Sequence, residues 1–198
     1  MRIIAGSKRG MKLLPPKNME TRPITDRAKE ALFSVIFKYD MPADCVVGDL
    51  FCGTGSMGLE CLSRGAKHAT FIDQSAQVID LLEKNISKAH FEAESKVIRG
   101  NVFKIGAPVG FEEPKYDLVF VDPPYVMARD TVQKSRLGRL LHLLCEQVRP
   151  GAIVIVRTHK RTQLEDQYGE LKVIDERSWG STSVTILRYE PGEQDDDE

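Results

Sequence analysis

What this chain lacks narrows it quickly. Its four cysteines, Cys45, Cys52, Cys61 and Cys145, form no Cys-x-x-Cys pair, and three lie in apolar or small-residue segments. That favours reduced, structural thiols over a disulfide framework or a zinc site. The four histidines have no metal-ligand spacing, so no metal site is expected. No uncharged apolar run approaches the roughly 18 residues of a membrane helix, and the start, MRIIAGSKRG, carries no signal-like apolar stretch. A cytoplasmic protein without a membrane partner is the expectation. There is no internal repeat, and no exposed apolar stripe argues against a monomer.

Of the 198 residues, 41% are hydrophobic and 29% charged, the mix of an ordinary globular chain. The net charge of −1 hides a polarised distribution. Residues 1–38 carry nine Lys/Arg against three Asp/Glu, whereas residues 190–198 carry six acids and no base. The basic start suits a phosphate-bearing partner, although a solvated basic face would look the same. The acidic end, EPGEQDDDE, has no apolar residue to bury and reads as disordered.

From residue 45 onward, short apolar runs alternate with helical patterns. Strands are expected at Cys45–Leu50, Ala69–Asp73, Lys96–Arg99, Tyr116–Val121 and Ala152–Arg157. Ala76–Ala89 and Arg136–Val148 place their leucines, valines and isoleucines at helical spacing. Such alternation predicts a parallel sheet covered on both faces. Two further runs, Glu170–Glu176 and Thr182–Tyr189, are joined by a short turn holding Trp179-Gly180, which predicts a hairpin and hence an antiparallel late strand. Near the start, Arg2–Ala5 and Met11–Leu14 flank a Gly6–Gly10 turn, and Thr25 can cap a helix running to Tyr39. The expected organisation is a basic hairpin-and-helix extension over 1–40, an α/β domain over 41–190 and an acidic tail over 191–198.

Four segments carry chemistry. Asp49-Leu-Phe51-Cys52-Gly53-Thr54-Gly55-Ser-Met-Gly58 follows a strand and opens a helix, the setting of a nucleotide-binding glycine loop. Gly53, Gly55 and Gly58 also satisfy the dinucleotide pattern. Asp49 discriminates: a carboxylate there repels a pyrophosphate and attracts the ammonium of an amino-acid-bearing cofactor, favouring S-adenosylmethionine over NAD. Asp73, about 20 residues on, stands where an acid bonds ribose hydroxyls. Asn101 could read an adenine edge, although Arg-Gly-Asn is also an ordinary turn. Asp122-Pro123-Pro124-Tyr125 then follows an apolar strand, and its two prolines impose an extended, stiff backbone. An exocyclic amine could donate to the Asp122 carboxylate and the Pro123 carbonyl while Tyr125 stacks on the attached ring.

DLFCGTGSMGLECLSRGA, VFVDPPY and the N-terminal RIIAGSKRGMKL and TRPITDRAKEALF together resemble the bacterial 16S ribosomal RNA guanine-N2 methyltransferases, over nearly the whole chain. The resemblance implies an α/β, Rossmann-like class I S-adenosylmethionine-dependent methyltransferase fold: a seven-stranded, mostly parallel sheet with an antiparallel last strand, plus the N-terminal hairpin and helix. It implies S-adenosylmethionine as methyl donor and a guanine of the small-subunit ribosomal RNA, of the guanine-966 type, as acceptor. It makes Asp49, Phe51, Gly53, Thr54, Gly55, Asp73 and Asn101 the cofactor side. Asp122, Pro123, Pro124 and Tyr125 become the catalytic segment, and Arg22 and Arg27, with Lys8 and Arg9, the RNA contacts. Three residues depart from the family pattern: Cys52 for a usual Ala, Ile24 for a usual Thr, and Arg157 near where an acid often ends the fifth strand.

The implied reaction is direct in-line methyl transfer to guanine N2 without a covalent enzyme intermediate. Rival readings are another amino methyltransferase (adenine-N6 on DNA or glutamine-N5 on protein), a nicotinamide oxidoreductase on the same glycine loop, and a non-catalytic RNA-binding module. The basic N-terminal segment disfavours the protein substrate, and the intact Asp-Pro-Pro-Tyr disfavours the last.

Overall fold

The computed structural model describes residues 1–16, 24–111 and 113–192. In chain order the elements are α1 (Asp26–Ile36), β1 (Val46–Leu50), α2 (Ser56–Ser63), β2 (His68–Asp73), α3 (Ala76–Ala89), β3 (Ser95–Arg99), α4 (Val102–Ile105), β4 (Tyr116–Val121), α5 (Arg136–Cys145), β5 (Val148–His159), β6 (Gln167–Tyr168), β7 (Leu171–Trp179) and β8 (Thr182–Tyr189). They form one sheet in the order β3-β2-β1-β4-β5-β8-β7-β6. β1 to β5 pair in parallel, and β8 inserts antiparallel between β5 and β7.

Strict alternation along the buried strands feeds two cores. Val47, Phe71, Leu118, Phe120, Ile153 and Ile155 face one, packed by Leu32 and Phe33 of α1, Leu59 of α2 and Leu82 of α3. Val119, Val121, Val154 and Val156 face the other, packed by Leu137, Leu140, Leu141 and Leu144 of α5. Burial on both faces is why these strands read as continuous apolar runs. Strand order reverses between β1 and β4, the switch point at which open α/β sheets bind ligands.

Several boundaries differ from the sequence expectation. The sheet has eight strands because the two-residue β6 pairs with β7 beyond the expected seven. The helix expected over Arg136–Val148 stops at Cys145: the Gln147 carbonyl accepts from Tyr116 N, and Val148 already pairs with Tyr116 as the start of β5. β7 runs on to Trp179, three residues past the expected Glu176. α1 gives way to a 3-10 turn over Phe37–Tyr39 before left-handed Asp40. The N-terminal hairpin reduces to a single bridge, Arg2 to Lys12, backed by Ile3 N to Met11 O at 2.9 Å and Gly10 N to Ile3 O at 2.9 Å.

That hairpin is docked rather than free. Ile4 N and Ala5 N donate to the Glu60 carboxylate at 2.8 and 3.0 Å, and Leu14 N donates to Asn85 at 2.7 Å. A Cβ on Gly6 would sit 1.7 Å from the Ser63 carbonyl oxygen, so only glycine lets the turn lie on α2. Among the described residues no helix is long and apolar enough to cross a membrane, and no cluster of three or more His, Cys, Asp or Glu is arranged to hold a metal.

Candidate functional site

The site lies at the carboxyl ends of β2, β1, β4 and β5. Continuing the strand alternation from Phe71, Val47, Phe120 and Ile155 puts Asp73, Asp49, Asp122 and Arg157 on one face of the sheet, the face covered by α1, α2 and α3. Asp49 is level with Phe71 and Phe120 in register, so Asp73 and Asp122 stand one pleat further out on either side of it.

The loop between β1 and α2 is built for close backbone approach. Phe51, Gly53 and Gly55 all have positive φ, 57°, 54° and 77°. A Cβ on Gly55 would meet Leu82 at 2.4 Å and one on Gly58 would meet the Phe71 ring at 2.3 Å, so both glycines are demanded by packing against the sheet and α3. At Gly53 the nearest atom is 4.0 Å away, leaving space on that side of the loop. Gly55 caps α2 without a side chain, and the Asp49 carboxylate supplies the missing acceptor, taking Gly58 N–H at 2.9 Å. Thr54 ties the loop down from behind: its carbonyl accepts from Asn85 at 3.0 Å and its hydroxyl donates to the Met1 sulfur at 3.5 Å.

Burial pushes the Asp49 carboxyl up to about 8; Asp122 and Asp73 add to the rise, while the Gly58 N–H and Arg157 oppose it. A buried carboxylate so placed gains from a cationic ligand, as the ammonium of an amino-acid-bearing cofactor would be. Asp73 accepts Ser75 N–H at 3.0 Å through Oδ1 and Gly53 N–H at 3.4 Å through Oδ2, so it joins the α3 N-terminus to the glycine loop. Asn101 is exposed and caps α4, accepting Phe103 N–H at 3.1 Å, and the Phe103 ring packs against Phe51 at 5.1 Å. The loop, its acid and the Asp73 position therefore fit S-adenosylmethionine; Asn101 is exposed and its amide oxygen is already engaged in the α4 cap.

Across the sheet, Asp122 is gripped by Arg157: Nε donates to Oδ1 at 2.7 Å and NH2 lies 2.5 Å from Oδ2. Burial raises the Asp122 carboxyl above the ordinary range, against the charge and hydrogen bonds of Arg157. Pro124 is extended (ψ 133°) and leads into a 3-10 turn beginning at Tyr125. The Tyr125 hydroxyl pairs with Thr182 at 3.1 Å and its ring meets the His159 ring edge-on at 5.7 Å.

Tyr125 and Arg157 open into a cleft of about 650 Å³ between α1 and the β7–β8 turn, lined also by Arg27, Ala28, Trp179 and Thr182. Arg27 thus reaches the cleft. Lys8 and Arg9 do not: Ser7 N and Lys8 N bind Ser63 at the far end of α2, about 12 Å of helix from the glycine loop, and Arg9 borders a separate recess with Arg2 and Arg64. Arg22, with Thr21 and Pro23 of its block, lies outside the described residues. Sequence reasoning did not reach Trp179 or Thr182 as cleft residues, nor His159 as the neighbour of Tyr125. The chain's only tryptophan at a hairpin turn was the available signal.

Comparison with known proteins agrees with this architecture. The solved structure of Escherichia coli yhhF superposes with a TM-score of 0.79 at 29% identity, covering 96% of this chain and 98% of that one. An RNA methyltransferase from Salinibacter ruber, solved in complex with S-adenosyl-L-homocysteine, shares the fold at a TM-score of 0.62 and 15% identity, covering 89% of this chain and all of the other. The Haemophilus influenzae protein named ribosomal RNA small subunit methyltransferase D is 36% identical over 165 residues, 81% of this chain and 79% of its own length. The family model described as conserved hypothetical protein 95 matches residues 1–188. The fold is that of the class I S-adenosylmethionine-dependent methyltransferases, and the chain belongs to the conserved hypothetical protein 95 family, alongside the ribosomal RNA small subunit methyltransferase D proteins.

Proposed function

We propose that this protein is an S-adenosylmethionine-dependent ribosomal RNA methyltransferase that modifies the exocyclic N2 of one guanine, of the guanine-966 type, in the 16S RNA of the small subunit. The observation that carries the reading is Asp122-Pro123-Pro124-Tyr125, at the carboxyl end of β4 beside the glycine loop, with Tyr125 opening into a cleft that Arg157 and Trp179 also line. The name of the 36%-identical relative supports the ribosomal RNA as substrate.

When bound, S-adenosylmethionine supplies an electrophilic methyl group on a sulfonium. Asp49 holds the cationic amino-acid end, Gly53 and Gly55 let the backbone approach, and Asp73 takes the ribose hydroxyls. The Asp122 carboxylate and the Pro123 carbonyl each accept one N–H of the target amine, and the Tyr125 ring supports the base, which must leave its stack to enter. A guanine amine is a weak nucleophile because its lone pair is delocalised; holding it in line can supply roughly 7–11 kcal/mol in well-aligned cases. The proton released after transfer goes to Asp122 or to water. Arg27, on the cleft wall, and Arg22 contact RNA phosphates.

The test is transfer of labelled methyl from S-adenosylmethionine to small subunits lacking the mark, to protein-free 16S RNA and to DNA, with Tyr125→Ala as control. Label in ribosomal RNA or subunits supports the reading. Label in DNA alone replaces it with the adenine-N6 alternative, and binding of NAD rather than S-adenosylhomocysteine replaces it with an oxidoreductase.

A further inference from the structure

The pairing between Asp122 and Arg157 has no place in the mechanism above, yet it occupies the reacting edge of the site. β4 and β5 run parallel with Val121 opposite Val156, so the next position on each strand brings the two side chains together. The guanidinium grips both carboxylate oxygens side-on through Nε and NH2. Arg157 is 13% exposed and Asp122 25%, so the pair is mostly withdrawn from water while the carboxylate keeps an open side. A carboxylate has about four lone-pair sites, and this grip uses two, leaving room for an amine N–H without breaking the pair.

We propose that Arg157 is the positioning residue for the amine acceptor: it fixes the plane of the Asp122 carboxylate and keeps it ionised, so that the carboxylate meets the target base as an acceptor only. This rests on the reading of Asp122 as the group that receives the amine. The electrostatic setting supports it. Asp49 from β1 and Asp73 from β2 lie on the same sheet face. Burial by itself favours a proton on Asp122, and the charge and hydrogen bonds of Arg157 oppose it. The other charged or titratable groups around the pair are Arg27 from α1, His159 from β5 and Tyr125 from the loop after β4. None of these hydrogen-bonds to the carboxylate; among the described residues Arg157 alone does. A protonated Asp122 would present a donor where the amine also presents donors, and the base would be misread.

The experiment pairs two readouts on the full chain. The first is the pH dependence of kcat for methyl transfer to 16S RNA by the wild type and by Arg157→Lys, Arg157→Met and His159→Asn. The second is the carboxyl carbon-13 resonance of Asp122, assigned with Asp122→Asn and titrated without RNA. The expected result is an acid limb and an Asp122 titration both displaced upward by about 1 to 3 pH units in Arg157→Met, less in Arg157→Lys, with the lost rate recovered at high pH. A structural defect would depress the rate at every pH. An unchanged Asp122 titration in Arg157→Met overturns the proposal, as does an acid limb that moves with His159→Asn instead. If the wild type transfers no methyl to RNA, the functional reading fails, and the resonance still decides whether Arg157 controls Asp122.

Discussion

The Lys29 ammonium lies 3.0 Å from the Glu60 carboxylate, with both side chains buried. This pair joins α1, one wall of the cleft, to α2, which starts at the glycine loop. Lys29 also donates to the Arg2 carbonyl at 2.7 Å and to Ser56 Oγ at 3.2 Å, while Glu60 accepts from Ile4 N, Ala5 N and Arg64. Burial holds the Lys29 ammonium below its ordinary pKa despite Glu60. Removing one partner strands the other charge, so Lys29→Met and Glu60→Gln should each destabilise by about 3–5 kcal/mol. In a denaturation double-mutant cycle, the double variant should lose clearly less than the sum.

Asp49 makes the apoprotein sensitive to pH. Its folded pKa, about 8, lies above the ordinary carboxylate value of 3.8, so between these the native state holds a proton that the unfolded chain has lost. Wild-type stability should therefore fall, relative to Asp49→Asn, as pH rises from about 4 to about 8, and level off above. Cofactor affinity should show the opposite trend, strengthening as Asp49 ionises, and Asp49→Asn should abolish that trend. Calorimetric titration with S-adenosylhomocysteine at several pH values checks it.

Gly58 has no room for a side chain. Its Cβ would lie 2.3 Å from the Phe71 ring and 3.2 Å from the Asp49 carboxylate. Gly58→Ala should destabilise by about 1–3 kcal/mol in spite of the better helix propensity of alanine. Because it shifts Asp49, it should weaken S-adenosylhomocysteine binding as well. Thermal melts with and without the ligand separate the two effects.

The ring of Tyr125 should matter more than its hydroxyl. If it supports the target base, Tyr125→Ala should slow transfer by about 5- to 150-fold, the equivalent of roughly 1–3 kcal/mol of stacking. Tyr125→Phe loses only the contact to Thr182 and should retain most of the rate. Single-turnover kinetics with saturating RNA measure this.

Arg27 and the hairpin arginines should part company in RNA binding. Arg27→Ala should lower the magnitude of the logarithmic salt slope by about 1, the signature of one lost phosphate contact. Arg9→Ala, on a separate recess, should leave methyl transfer to short RNA fragments unchanged. Fluorescence titrations over a range of salt concentrations decide the first, and transfer assays the second.

The central strands were legible in the sequence because burial on both faces writes them as unbroken apolar runs, and Asp49, Asp73 and Asp122 were legible because they end such runs. β6 was not, since two residues carry no periodicity. Nor was the end of α5, where Val148 fits a helical face as well as a strand and only its pairing with Tyr116 decides. Arg157 stood out in the sequence as a departure, but its grip on Asp122 depends on the register of two strands 35 residues apart. The cleft wall at Trp179 depends on β8 folding back between β5 and β7, a long-range choice that local pattern does not contain.

The most direct test of the account is the chemical identity of the product. Small-subunit RNA methylated by the enzyme would be digested to nucleosides and resolved by mass spectrometry against standards, with the position mapped by primer extension. The account predicts N2-methylguanosine at a single site of the 16S RNA, absent with Asp122→Ala. Label recovered in an adenine, in a ring position of any base, or spread over many sites would contradict it.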